Sequence, residues 1–297
     1  MHPGIIVAGK TAFHYRFNHR IIFKVCNLAK SCHRGKVLWL SLRFECNMTR
    51  YFIFLSFRGT AYHGWQLQPG KHTVQGVLAK ALSTVLSVQT AVTGAGRTDT
   101  GVHASLFCAH FDAVRDDLHA DRQLLYNLNS LLPDDIAVSR IMKVRPDANA
   151  RFDATSRTYR YTITREKDPF VSDTAWLLYW SLSLEKLNEA SAILMRHSDF
   201  TSFSRLHGGN KTNICRVTQA SWNEEPGRLI FTITANRFLR NMVRAIVGTL
   251  IPAGRGKLSM ADFEAVLNGR NRGLAGQSAP AHGLSLTAIE YPEELFI

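Results

Sequence analysis

Between residues 51 and 291 the chain runs twice through the same order of apolar patterns, and this repetition limits the fold more than any other feature. Residues 51–58 are aromatic and β-branched on both faces, as in a strand buried on both sides. Thr73 suits an N-cap. Val74, Val77, Leu78, Ala81, Leu82 and Val85 then recur at helical spacing and predict an amphipathic helix over 74–86. An apolar strand is expected at 105–112. Leu124, Leu125, Leu128, Leu131 and Leu132 predict a helix stopped by Pro133, and a strand returns at 136–144. In the second run, residues 157–164 alternate, with Tyr159, Tyr161 and Ile163 on one face and Thr158, Arg160 and Thr162 on the other. A helix over 184–195 follows Ser183. Strands at 214–223 and 228–234 flank the turn Glu224-Glu225-Pro226-Gly227. A helix over 237–250, a short capped helix after Ser259 and a strand at 284–291 complete the run.

With a short strand near 91–93, each run reads β-α-β-β-α-β, the split βαβ order of ferredoxin-like units. The expected class is α+β: two ferredoxin-like halves, 48–150 and 151–297, with mostly antiparallel sheets side by side. Such sheets leave one face open while helices cover the other. Two of them together form a central cleft, a common place for a site.

Residues 1–47 do not share this order. They show no sustained period, yet hold four of the twelve histidines and three of the five cysteines. They also contribute +7 of the formal +13 charge, leaving the remainder a moderate +6. Neither a secretory signal nor a transit peptide fits them. The orderly pattern begins right after Met48, so the expectation is that Met48 is the natural start and 1–47 an upstream extension. A basic balance suits a polyanionic partner. The five cysteines form no C-x-x-C pair and no zinc spacing, which fits a reduced, cytoplasmic setting without a metal site. No apolar run reaches the roughly 18 residues needed to span a membrane.

The loop Gly94-Ala95-Gly96-Arg97-Thr98-Asp99-Thr100-Gly101-Val102-His103 is the most unusual segment. Its glycines permit sharp turns and close approach to a ligand. No Gly-Lys-Ser/Thr follows them, so it is not a phosphate loop. From the residues alone, Asp99 reads more readily as a turn former capping its own backbone than as a catalytic group, Arg97 as a solvated charge, and His103 as a packed side chain.

The segment from Ala95 to His103 closely resembles the active-site signature of TruA-type tRNA pseudouridine synthases. The resemblance extends in order from about Thr49 to Pro292. It takes in Gly59-Thr60-Ala61-Tyr62-His63-Gly64-Trp65-Gln66, Ala150-Arg151-Phe152-Asp153-Ala154, Arg157-Thr158-Tyr159-Arg160-Tyr161, Asn241-Met242-Val243-Arg244 and Ala281-His282-Gly283-Leu284. Arg58 and Thr100 depart from the pattern, where the family usually has Asp and Ala. The resemblance implies isomerisation of uridine to pseudouridine at positions 38, 39 and 40 of the tRNA anticodon arm, without cofactor or metal, by a homodimer gripping tRNA in an RNA-binding cleft. It also implies Asp99 as nucleophile, held ionised by Arg97 and Arg244, and Tyr159 as the platform for the target base. Because the base must leave the stack, Arg97 is expected to fill the gap.

Within the expected helix over 237–250, Arg237, Arg240 and Arg244 fall at i, i+3 and i+7 on one face. An acid-free arginine face suits phosphate or carboxylate contacts better than plain solvation. Arg244 is expected to face Asp99, and Arg237 and Arg240 to meet RNA. Two other classes compete: a basic module that binds or refolds tRNA without chemistry, and a nucleotide-binding transferase. The Arg97-Thr98-Asp99 set argues against the first, and the missing phosphate loop against the second.

Overall fold

The structure, a computed structural model, describes residues 48–205 and 211–297, so the expectations for 1–47 lie outside it. The elements run β1 (Thr49–Phe57), α1 (Val74–Leu86), β2 (Thr93–Gly94), β3 (His103–Ala113), α2 (Arg122–Leu131), β4 (Ile136–Val144), β5 (Ser156–Thr164), β6 (Trp176–Leu177), α3 (Leu184–Leu194), β7 (Val217–Glu225), β8 (Arg228–Ala235), α4 (Met242–Gly254), α5 (Met260–Asn268) and β9 (Leu284–Glu290). Thr73, Asp121, Ser183 and Ser259 cap α1, α2, α3 and α5, each side chain accepting a hydrogen bond from a first-turn amide.

The fold is mixed α+β around one large, mostly antiparallel sheet. Its order is β4-β1-β3-β9-β5-β8-β7, with β2 on β3 and β6 on β5. In the first run β1 lies between β4 and β3, and in the second β5 lies between β9 and β8 in the same way. Two separate sheets are not what forms. β3 pairs in parallel with β9 through His103↔Ser285 and Ala104↔Leu286, so the halves share one sheet. The seam is held by exchanged side chains. Val102 packs in the core of the second half, while Leu286, Ile289 and Leu295 pack in that of the first. The chain end closes the exchange, with Phe296 bridged to Val144 and set edge-on against Phe52.

One expected helix begins late. Residues 237–241 precede α4, because Asn241 takes a left-handed backbone (φ 66°) that no continuous helix accepts. Arg237 and Arg240 are therefore not on the helix, and the proposed three-arginine face does not exist. Among the described residues, no helix is long and apolar enough to cross a membrane.

Candidate active site

The loop between β2 and β3 is pinned at each end. Ala95 N–H donates to the Cys108 carbonyl (2.8 Å), Trp65 N–H to Thr98 Oγ1 (3.0 Å) and Val102 N–H to the Asp99 carbonyl (3.1 Å). Glycine is required opposite. Gly64 has φ +80°, and a Cβ there would lie 2.2 Å from the Thr98 carbonyl oxygen. His103 is buried, accepts from Gly59 N–H at Nδ1 (3.0 Å) and meets the His282 carbonyl through Nε2 (3.1 Å). Burial lowers its pKa and that of His110, whose Nδ1 accepts from Ala150 N–H. The pair of bonds defines His103 as a neutral tether.

This packing presents the Asp99 carboxylate to two guanidinium groups, Arg244 Nη1 at 3.3 Å and Arg240 Nε at 3.6 Å. Arg244 is itself aimed. Its Nε donates to the Ala279 carbonyl (2.8 Å), while Ala279 N–H returns a bond to the Arg244 carbonyl (2.9 Å). That segment lies directly on α4, since a Cβ on Gly248 would fall 1.7 Å from the Gln277 carbonyl oxygen. Asn241 and Arg272 donate to Ser278 Oγ at 2.6 and 3.1 Å and fix the same strip.

Asp99 lines a cleft of about 1000 Å³ between residues 63–69 and 97–100 of the first half and residues 205, 240–244 and 272–281 of the second. Among the described lining residues, Asp99 is the single carboxylate, against Arg97, Arg205, Arg240, Arg244 and Arg272. Tyr159 stands half-buried on β5, its ring edge-on to Phe238 at 5.1 Å. Burial, and secondarily the Asp99 charge, pushes its phenol up to about 12, so the hydroxyl keeps its proton at neutral pH. Tyr159 shares its sheet face with Tyr161, which is buried in the second core cluster with residues of α4, and Tyr159 is not among the described residues lining the cleft.

The expected residues are thus brought together unequally. Asp99 and Arg244 meet, and Arg240, expected at RNA, also reaches the carboxylate. Arg97 lines the cleft but is exposed, and no ion pair joins it to Asp99 among the described residues. Arg237 lies outside the cleft lining, near Arg157. Arg157, named from the sequence only as part of the resemblance, carries a role of its own. Its guanidinium donates to the carbonyls of Ala95, Arg151, Ala154 and Asn236. The signal was present: alternation places this arginine on the same face as Tyr159 and Tyr161.

A carboxylate between two guanidinium groups, in a cleft otherwise rich in arginine, defines a class: an enzyme with an acidic functional group and a polyanionic substrate. Comparison with known proteins narrows this. The family model described as tRNA pseudouridine synthase matches residues 192–292. Proteins named tRNA pseudouridine synthase A are 52% identical over 251 residues in Bacteroides fragilis, covering 84% of this chain and 99% of that protein. The Bacteroides thetaiotaomicron protein of that name is 52% identical, covering 84% of this chain and 93% of its own length, and the Porphyromonas gingivalis one 50% identical, covering 84% and 100%. The chain belongs to the tRNA pseudouridine synthase A family.

Proposed function

We propose that this protein isomerises uridine to pseudouridine at positions 38, 39 and 40 in the anticodon arm of tRNA, with Asp99 as the nucleophile. The observation that carries the proposal is the Asp99 carboxylate, held by Arg240 and Arg244 inside the arginine-lined cleft. A carboxylate can attack the nucleotide, let the base detach from C1′, and release it for rejoining through C5. The ion pairs orient it for that attack. Tyr159 is the platform beneath the extruded base, and its protonated hydroxyl can join in the transfer of the C5 proton. Arg97, exposed at the cleft, is placed to fill the gap the base leaves in the RNA stack. No cofactor or metal enters the scheme.

The repeated strand order supports reading the protein as two ferredoxin-like halves divided near residue 150, with the cleft between them. We further infer a cytoplasmic homodimer in which each tRNA meets both subunits. Incubation with unmodified tRNA, followed by carbodiimide modification and primer extension, tests the function. Stops at positions 38–40 are expected. Tight tRNA binding with no stop anywhere would favour a non-catalytic binding module.

A further inference from the structure

Outside the Asp99 cleft, the arginines divide by surroundings. Arg50, Arg58, Arg115, Arg145, Arg160, Arg165, Arg228 and Arg270 each pair with a carboxylate. Of those with no carboxylate partner among the described residues, Arg140 and Arg255 stack on Phe54 and Trp180, and Arg122 and Arg196 lie on α2 and just after α3, whereas Arg151, Arg216 and Arg237 gather at one place. The Arg157 guanidinium collects them, because the carbonyls it binds belong to Arg151 and Ala154, to Asn236 beside Arg237, and to Ala95 at the start of the Asp99 loop. Arg216 joins through two bonds to Asn236, backbone N–H to Oδ1 (2.8 Å) and carbonyl to N–H (3.1 Å).

On this basic shelf one turn holds an aromatic ring out into solvent. Phe152 is 76% exposed. Its turn is tightly built. Asn149 Oδ1 accepts from the Arg151 and Phe152 amides (3.0 and 3.3 Å), Asp153 Oδ2 accepts from Asn149 N–H (2.6 Å), and Asp153 N–H donates to the Asn149 carbonyl (3.1 Å). The Arg151 guanidinium lies 5.5 Å from the Phe152 ring centre. A rigid turn displaying a ring beside unpaired arginines matches what a flexible nucleic-acid strand needs: cations for its phosphates and a flat apolar face for a base.

We propose that this shelf, with Phe152 as its stacking face and Arg151, Arg216 and Arg237 as its phosphate contacts, is a second RNA site that holds a strand flanking the target nucleotide. Arg157 is its keystone and ties it to the Asp99 loop, so RNA seated there lies against the loop that carries the carboxylate. The inference rests on the RNA-isomerase reading of Asp99, but its test is separable from it.

The test is fluorescence anisotropy of labelled, unmodified tRNA with the full chain across a salt series. Phe152→Ala is expected to weaken binding about ten-fold, and Phe152→Trp to restore it, with the new indole emission quenched when RNA is added. The triple variant Arg151→Gln, Arg216→Gln, Arg237→Gln is expected to lower the slope of log affinity against log salt by about two. The double variant Arg122→Gln, Arg196→Gln, on arginines outside the shelf, serves as the charge control. Wild-type affinity and slope in the shelf variants would overturn the proposal, as would an equal loss per charge in the control. Tritium release from C5-labelled tRNA by the wild type, measured in parallel, tells a failure of the shelf from a failure of the catalytic reading.

Discussion

In the proposed reaction Asp99 and Tyr159 face different demands. The carboxylate is to be aimed at the nucleotide, and it sits between Arg240 and Arg244. The phenol must be present but neutral, and burial pushes it up to about 12. Tyr159→Phe keeps the stacking ring and loses the proton. It is expected to leave tRNA affinity unchanged and slow turnover roughly a hundred-fold, within the usual range for losing an acid–base group. A C5 deuterium isotope effect on single turnover, larger than in the wild type, is the check. Unchanged turnover would reduce Tyr159 to a platform. Asp99 was legible through its loop motif. The second arginine beside it was not, because the helix pattern extended falsely across 237–241 and assigned Arg240 to the RNA. Apolar residues at Phe238, Leu239 and Met242 mimic helical spacing, and nothing local announces the left-handed Asn241.

The site depends on elements that hold it from behind. Gly248 lets residues 276–279 lie on α4, where Ala279 accepts from Arg244. Gly248→Ala must push that strip away. Overpacking of this kind costs about 1–3 kcal/mol, so a melting temperature lower by roughly 5 °C is expected, along with a loss of turnover greater than the loss of fold. Calorimetry beside single-turnover rates separates the two. His103 and His110 tether other backbone segments through Nδ1 acceptors, and burial lowers both pKa values. The unfolded chain therefore binds more protons than the folded one, and stability falls as pH drops below the ordinary histidine value near 6.5 and through the lowered folded values. His103→Asn, which keeps an acceptor but cannot titrate, is expected to flatten that acid decline in melting temperature. An unaltered decline would assign it to other groups. Most strands and helices were legible at this scale, because period and caps are local. The tethers were not, since each joins residues far apart in sequence.

At the scale of the whole molecule, the strands up to β4 and those from β5 onward become one sheet through a short parallel seam. His103 and Ala104 on β3 meet Ser285 and Leu286 on β9, and the chain end returns to Val144. The repeated element order announced a mixed α+β sheet, but the seam joins residues about 180 positions apart and no periodicity encodes it. Asp99, from the loop before β3, meets Arg240 and Arg244, from the segment leading into α4 and from α4 itself, so the site draws on residues about 140 positions apart in sequence. The central claim, that this composite site makes Asp99 the nucleophile of a tRNA pseudouridine synthase, is tested most directly by tritium release from tRNA labelled at uridine C5, comparing the wild type with Asp99→Asn. Release by the wild type and none by Asp99→Asn, with tRNA affinity retained, is the predicted result. Release by Asp99→Asn at the wild-type rate, or by neither protein from a tRNA with uridines at positions 38–40, would contradict it.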